Sequence, residues 1–378
     1  MTWWYWQRAS ALLNDSSLTC PNTVAYFLSP AFPPLILLIL ATCLVVGAAC
    51  GRLAWRQLGR GAFQQASARV FVLSACAGAV MAGLALAVNG VVWMSEEPCE
   101  AMRGNLACQL VMSGIMVGFL AYYLSLNALA FDRLYAALKL LKQRQGFGVA
   151  ALASAPSSTP ANLLLRFYPA LTAGQWVALL WLLAVLLELF RYATTDIFTM
   201  PFRKLSICFV EDMTLGTIVG NTVGLIALAI GATLAVSKAN RLCRSCLDAF
   251  AFAQASIPLE ERWRLRHALL LTRSLYPITL FNCIWQTLMC CGLAMAYWYM
   301  QNHFAAPSYA FAQQYSFNLI AFPPMLVFAG LCLKSGGELA GKPESGPVVM
   351  AGCEVRVAPA PPEAEHYFAA LRSQWKAA

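Results

Sequence analysis

A chain of 378 residues that is 60% hydrophobic and only 11% charged, with a mean hydropathy of +0.62, cannot hide its apolar surface in one water-soluble core. Twenty-six basic residues against seventeen acidic ones leave a net charge of +9. Those basic residues are scattered over short segments between apolar runs, which argues against a nucleic-acid-binding patch and for a protein of the lipid bilayer.

Residues 1–28 carry Trp3, Trp4, Tyr5 and Trp6 where a signal peptide would be basic, so they read as an N-terminal segment and not as a cleaved leader. Asn14-Asp15-Ser16 within it is a glycosylation sequon. Seven stretches then reach the roughly 20 apolar residues that a span requires. They run over 30–50, 70–94, 105–131, 168–187, 214–237, 274–300 and 311–333, and none contains Asp, Glu, Lys or Arg. Helices satisfy their own backbone hydrogen bonds, so the expected fold class is all-α, a seven-transmembrane helix bundle over residues 29–335.

The intervening segments set its direction. Sixteen basic residues fall on one side, among them Arg52, Arg56, Arg133, Lys139, Lys238, Arg241, Arg262, Arg264 and Arg273. Only Arg103, Arg191, Arg203 and Lys204 fall on the other. The bias predicts an extracellular N-terminus and a cytoplasmic C-terminus. Residues 336–378 include the Pro-rich stretch 358–364 and read as a largely disordered cytoplasmic tail. A short amphipathic helix through Tyr367, Phe368, Leu371 and Trp375 is the competing reading for its end. Cys243-Arg-Ser-Cys246 has no second pair and reads as a solvated or acylated membrane-edge pair, with Cys332 a similar acylation candidate.

The third stretch ends in Phe131-Asp132-Arg133-Leu134-Tyr135. This resembles the Asp-Arg-Tyr motif of rhodopsin-like receptors, in which the Arg pairs with its Asp at rest and is released to a G protein. The resemblance also implies a Cys 25 residues before the motif Arg, where Cys108 stands, with its disulfide partner in the loop between spans 4 and 5, where Cys208 stands. Cys20 and Cys99 remain as a possible second bridge. The segment Leu259-Glu-Glu-Arg-Trp-Arg-Leu265 is similar to the entry to helix 6 in nematode serpentine chemoreceptors of the Sra superfamily, including the Sra, Srab and Sre groups. It departs from them at Arg266-His267. Helix 7 also lacks the Asn-Pro-x-x-Tyr order, since Asn318 stands well before Pro323-Pro324 and no Tyr follows.

The resemblance implies a heterotrimeric G protein as partner, coupled through Asp132, Arg133, Tyr135, Arg262 and Arg264. It also implies the plasma membrane, including the ciliary membrane of sensory neurons. Spans without a charge disfavour a pump or an ion-coupled transporter. Retinal would require a Lys in mid-helix 7, whereas Lys334 lies at its end, and an amine receptor would require an Asp where Ile115 stands. The expected ligand is thus a small neutral or weakly polar molecule. Its candidate contacts are Gln109, Met112, Ser113, Met116, Asn282, Trp285, Gln286 and Gln314, each of which also has a packing role open to it. The three histidines are far apart in sequence, no phosphate loop or nucleophile motif appears, and no cofactor, metal or enzyme activity is expected. A transporter, channel or structural multi-pass protein without G-protein coupling is the alternative.

Overall fold

Two helices begin on the same triplet. Phe32-Pro33-Pro34 opens the first and Phe322-Pro323-Pro324 the last. Proline is at home in a first turn, because the N–H it lacks would have no acceptor there. The computed structural model describes residues 32–60, 66–95, 103–145, 171–193, 204–205, 215–252, 259–302 and 322–334. The described residues form seven helices: α1 (Phe32–Arg60), α2 (Ala66–Ser95), α3 (Asn105–Gln145), α4 (Ala173–Ala193), α5 (Leu215–Phe252), α6 (Leu259–Asn302) and α7 (Phe322–Lys334). A capping box starts α4, with Thr172 N–H donating to Gln175 Oε1 at 2.8 Å and Gln175 N–H to Thr172 Oγ1 at 3.3 Å. The only β-structure among these residues is the antiparallel pair β1 (Arg103–Gly104) and β2 (Lys204–Leu205), which joins the start of α3 to the α4–α5 connection.

Five helical stretches are long and apolar enough to cross a membrane: Pro33–Leu58, Ser67–Val91, Ser113–Lys139, Ala173–Phe190 and Val223–Ser245. Four of them carry large apolar side chains on their outer faces, such as Leu44, Leu84, Leu186 and Leu234, as a bilayer requires. The sixth expected stretch lies within α6, which continues through Pro277. Of the seventh, only α7 is described, and it is too short to span by itself. Residues 1–28 and the tail from 336, with their expected sequon and linker, lie outside the described residues.

The fourth helix corrects one expectation. It runs past residue 187, so that Glu188 falls inside the stretch Ala173–Phe190, where it is only 3% exposed between Leu187 and Leu189, which are exposed. Helical periodicity is the reason. Leu180, Trp181, Ala184 and Glu188 share the face that meets α2 and α3, while the residues between them face outward. The spans are therefore not free of ionisable groups.

The closest packing is between α2 and α3, and it depends on glycine. A Cβ on Gly118 would stand 2.6 Å from the backbone N of Ala82, and one on Gly78 would stand 2.7 Å from the carbonyl of Gly118. Without side chains the two backbones approach closely, which is how apolar helices gain contact in lipid. Ser74 Oγ and Ser125 Oγ hydrogen-bond at 2.7 Å across the same interface, and Trp181 Nε1 of α4 donates to Ser74 Oγ at 2.9 Å. Three helices are tied there by one buried hydroxyl pair. Inward-facing cysteines correct another expectation. Cys243 is 2% and Cys332 3% exposed, so neither is a solvated or acylated edge residue. Cys243 continues the buried row Ala232, Val236 and Ala239 of α5, and Cys332 follows Met325, Phe328 and Ala329 on the inner face of α7.

Candidate functional site

Asp132 and Arg133 form an ion pair that is almost fully buried at the end of α3. Ser67 of α2 brackets the pair: its Oγ donates to Asp132 Oδ2 at 3.2 Å and accepts from Arg133 Nη2 at 3.4 Å. Taking two charges out of water carries a desolvation penalty of several kcal/mol per ion, repaid only where geometry and extra hydrogen bonds are good. A basic residue that merely anchors a helix end avoids that cost by reaching for water. Arg52, Lys139, Lys238, Arg241, Arg244 and Arg273 do so and are exposed. Arg133, at 2% exposure, is of a different kind.

Further contacts pin α7 to α3 and α1. Tyr122, buried on the α3 face that also carries Leu126, Leu129 and Arg133, donates its hydroxyl to the carbonyl of Pro324 at 3.0 Å. Its ring meets Phe328 edge-on at 5.8 Å, and Phe119 lies 6.1 Å from Phe322. At the other end of α7, Arg56 Nη1 of α1 donates to the carbonyl of Leu333 at 3.4 Å. A hydroxyl-to-carbonyl tie between α3 and α7 thus exists where the sequence offered no Asn-Pro-x-x-Tyr motif.

Toward α5 and α6 the picture changes. Thr233 Oγ1 donates to the carbonyl of Thr279 at 3.1 Å, joining the two helices, and Gly231 faces the ring of Phe131, 3.8 Å from where its Cβ would be. Asn282 and Gln286 follow on the buried row of α6 at 3% and 6% exposure, with no hydrogen-bond partner for Asn282 Oδ1 or Gln286 Oε1. Asn127 Oδ1 on α3 is likewise without a partner. Each such buried oxygen costs about 1–3 kcal/mol while it remains unpaired. Trp285 stacks on Phe281 at 5.7 Å and is half-buried.

The expected ligand contacts therefore separate into two levels. Because α6 returns antiparallel to α5, Asn282 and Gln286 lie one and two turns from the Thr279 level, toward the Ser113 end of α3. By helix rise Ser113 is ~27 Å from Phe131 along α3, which leaves a gap on the order of 15 Å between Ser113 and Gln286. A small molecule does not reach both. Ser113 and Met116 are half-buried at the far level, and Gln109 and Met112 occupy the first turns of α3, their side chains outside the described set. Gln314, Asn14 and Cys208 lie outside the described residues, as does the side chain of Cys108. Arg262 and Arg264 sit in the first turns of α6, also without described side chains, and Tyr135 is half-buried two positions after Arg133. Asn89 is buried on α2 with no partner for its Oδ1 among the described residues.

Sequence reasoning missed Ser67, Tyr122 and Glu188. Ser67 and Tyr122 act on other helices, which spacing along one segment cannot reveal. Glu188 stood one residue past an assumed boundary. No group of metal-ligating side chains occurs among the described residues. No protein-family model matches the sequence, and no curated protein matches it.

Proposed function

We propose that the chain is a G-protein-coupled chemosensory receptor of the Sra-superfamily type, with seven spans, an extracellular N-terminus and a cytoplasmic C-terminus in the plasma membrane. One observation supports the reading: on the expected cytoplasmic side, Arg133 is withdrawn from water onto Asp132 and Ser67, whereas Arg52, Lys139, Lys238, Arg241, Arg244 and Arg273 are exposed. A buried charge held by a breakable pair suits a two-state element, in which the resting state holds the Arg and the active state presents it to a partner. Ligand binding shifts that equilibrium by favouring the arrangement in which α6 moves from α3. No covalent chemistry is involved.

The test is G-protein subunit dissociation in cells at matched surface expression. Asp132→Asn should raise ligand-free signalling, since removing one partner of a buried pair destabilises the resting arrangement by about 3–5 kcal/mol and each ~1.4 kcal/mol is tenfold in population. Arg133→Ala should abolish the signal. Equal, unchanged signals in all three proteins would refute the proposal. Orientation is checked separately: treatment with a glycosidase should shift the wild type on a gel and leave Asn14→Gln unshifted.

A second reading is favoured by Glu188 alone. A buried intramembrane carboxylate is what a proton- or cation-coupled transporter employs. Substrate flux into proteoliposomes that collapses in Glu188→Gln, with no G-protein signal from any variant, would select it.

A further inference from the structure

We infer that Cys50 of α1 and Cys76 of α2 are a modification site, a dithiol that an organic hydroperoxide dissolved in the bilayer oxidises to a disulfide joining the two helices. The inference is independent of the receptor reading. It starts from the register of α1 and α2, which run antiparallel. A Cβ on Gly83 would stand 3.8 Å from the carbonyl oxygen of Cys43 and 4.0 Å from its Cα, and one on Gly90 would stand 3.9 Å from Ile36 Cγ2. A move of seven residues along α2, from Gly83 to Gly90, thus shifts the contact seven residues back along α1, from Cys43 to Ile36. Seven residues the other way, about two turns of each helix, the same register sets Cys76 against Cys50. Both are buried, and their thiols hydrogen-bond to each other.

A disulfide requires Cα atoms about 4.4–6.8 Å apart with their Cβ atoms turned toward each other, and a seam held close at Gly83 supplies that approach. Cys43, also buried on α1, faces Gly83 and so has no thiol opposite it on α2. Cys332 of α7 is the third thiol of the cluster, but the hydrogen bond between Cys50 and Cys76 selects those two. Depth selects the oxidant. Cys50 lies eight positions inside Leu58 and Cys76 nine inside Ser67, the ends of the two membrane-crossing stretches, which by helix rise is about 12–14 Å from the edge. A water-borne reagent stops short of that level, whereas a peroxide carried on a hydrocarbon group dissolves there. Gly47 and Gly51 flank Cys50, and nothing lies within 4 Å of where either Cβ would be, so α1 is at its thinnest beside the thiols.

The chemistry balances without a further reagent. One sulfur attacks the outer oxygen of the hydroperoxide, the O–O bond breaks, and the inner oxygen leaves as an alcohol with the thiol proton. The sulfenic acid so formed is attacked by the second sulfur, whose own proton leaves with the displaced hydroxyl as water. Two thiols lose two protons and two electrons, and one hydroperoxide becomes one alcohol and one water. Reactants and products are all neutral, so the finished reaction leaves no charge in hydrocarbon.

The experiment treats the purified full-length protein in nanodiscs with cumene hydroperoxide, with hydrogen peroxide at the same concentration, or with neither. Disulfides are then mapped by mass spectrometry of unreduced chymotryptic peptides, and thermal unfolding is recorded. Cumene hydroperoxide should link Cys50 to Cys76 in most molecules and raise the thermal midpoint by about 3 °C or more, because the bond closes the chain between α1 and α2 into a loop. Hydrogen peroxide should form the same bond several-fold more slowly. Cys50→Ala and Cys76→Ala should each abolish the linkage and the shift, and Cys332→Ala should leave both intact. No linkage, linkage of either cysteine to Cys332 or to another thiol instead, or equal rates with the two peroxides would each overturn the inference. All three of those outcomes are read on the wild type, so a variant that fails to fold does not shield it.

Discussion

The two sides of α3 are built by opposite rules. Toward α2, α4 and α7 several of its side chains are hydrogen-bonded: Ser125 to Ser74, Asp132 to Ser67 and Arg133, and Tyr122 to the carbonyl of Pro324. The backbones there touch through Gly78 and Gly118. Toward α5 and α6, one side-chain bond among the described residues, Thr233 to Thr279, joins the two outer helices, while Asn127, Asn282 and Gln286 keep oxygens without a partner among them. In lipid no hydrophobic force holds helices together, so packing and interhelical hydrogen bonds decide what stays fixed. Among the described residues, side-chain hydrogen bonds and the closest backbone approach therefore concentrate between α2, α3, α4 and α7.

Breaking that close packing should have the largest effect. Gly118→Val puts a branched side chain where even a Cβ would stand 2.6 Å from backbone, and folded yield in detergent should fall to a small fraction of wild type, a loss of about 3 kcal/mol or more. Recovery of normal yield and thermal midpoint would show that the helices are less close than described. Trp181→Phe removes the indole donor to Ser74 while keeping an aromatic ring in place. The expected destabilisation is about 1–2 kcal/mol by thermal unfolding, and a wild-type midpoint would leave the three-helix tie without energetic weight. On the other side of α3 the sign reverses. Asn282→Leu should leave the unliganded midpoint unchanged or raise it, whereas a fall of several degrees would mean that the amide is paired after all. Smallest of all, Thr233→Val should cost only a few tenths of a kcal/mol, because the hydroxyl also back-bonds to the carbonyl of Ala229 and gains little from Thr279.

Much of this helical layout was legible from hydropathy alone, since stretches such as Pro33–Leu58 and Val223–Ser245 are long and apolar enough to cross a membrane. The Asp132-Arg133 pair was legible as well, because both partners are adjacent in sequence. What partners them was not. Ser67 is one of several serines near a membrane edge, and only the register of α2 against α3 brings it to the carboxylate. The same limit explains Cys332 and Cys243, whose direction depends on which helix lies opposite. Glu188 shows a different failure: a boundary drawn to exclude charge hid the one acid that the helix buries. For Asn282 and Gln286, residue type was enough to nominate them. Their separation from Ser113 needed three helices in register.

The most direct test of the receptor account is nucleotide exchange in a purified system. The chain in nanodiscs would be mixed with heterotrimers representing each Gα class, and the rate of GDP release measured for wild type, Asp132→Asn and Arg133→Ala. The account predicts that at least one heterotrimer releases GDP faster with wild type, faster still with Asp132→Asn, and at its unassisted rate with Arg133→Ala. Exchange that no heterotrimer speeds up, even with Asp132→Asn, would contradict it.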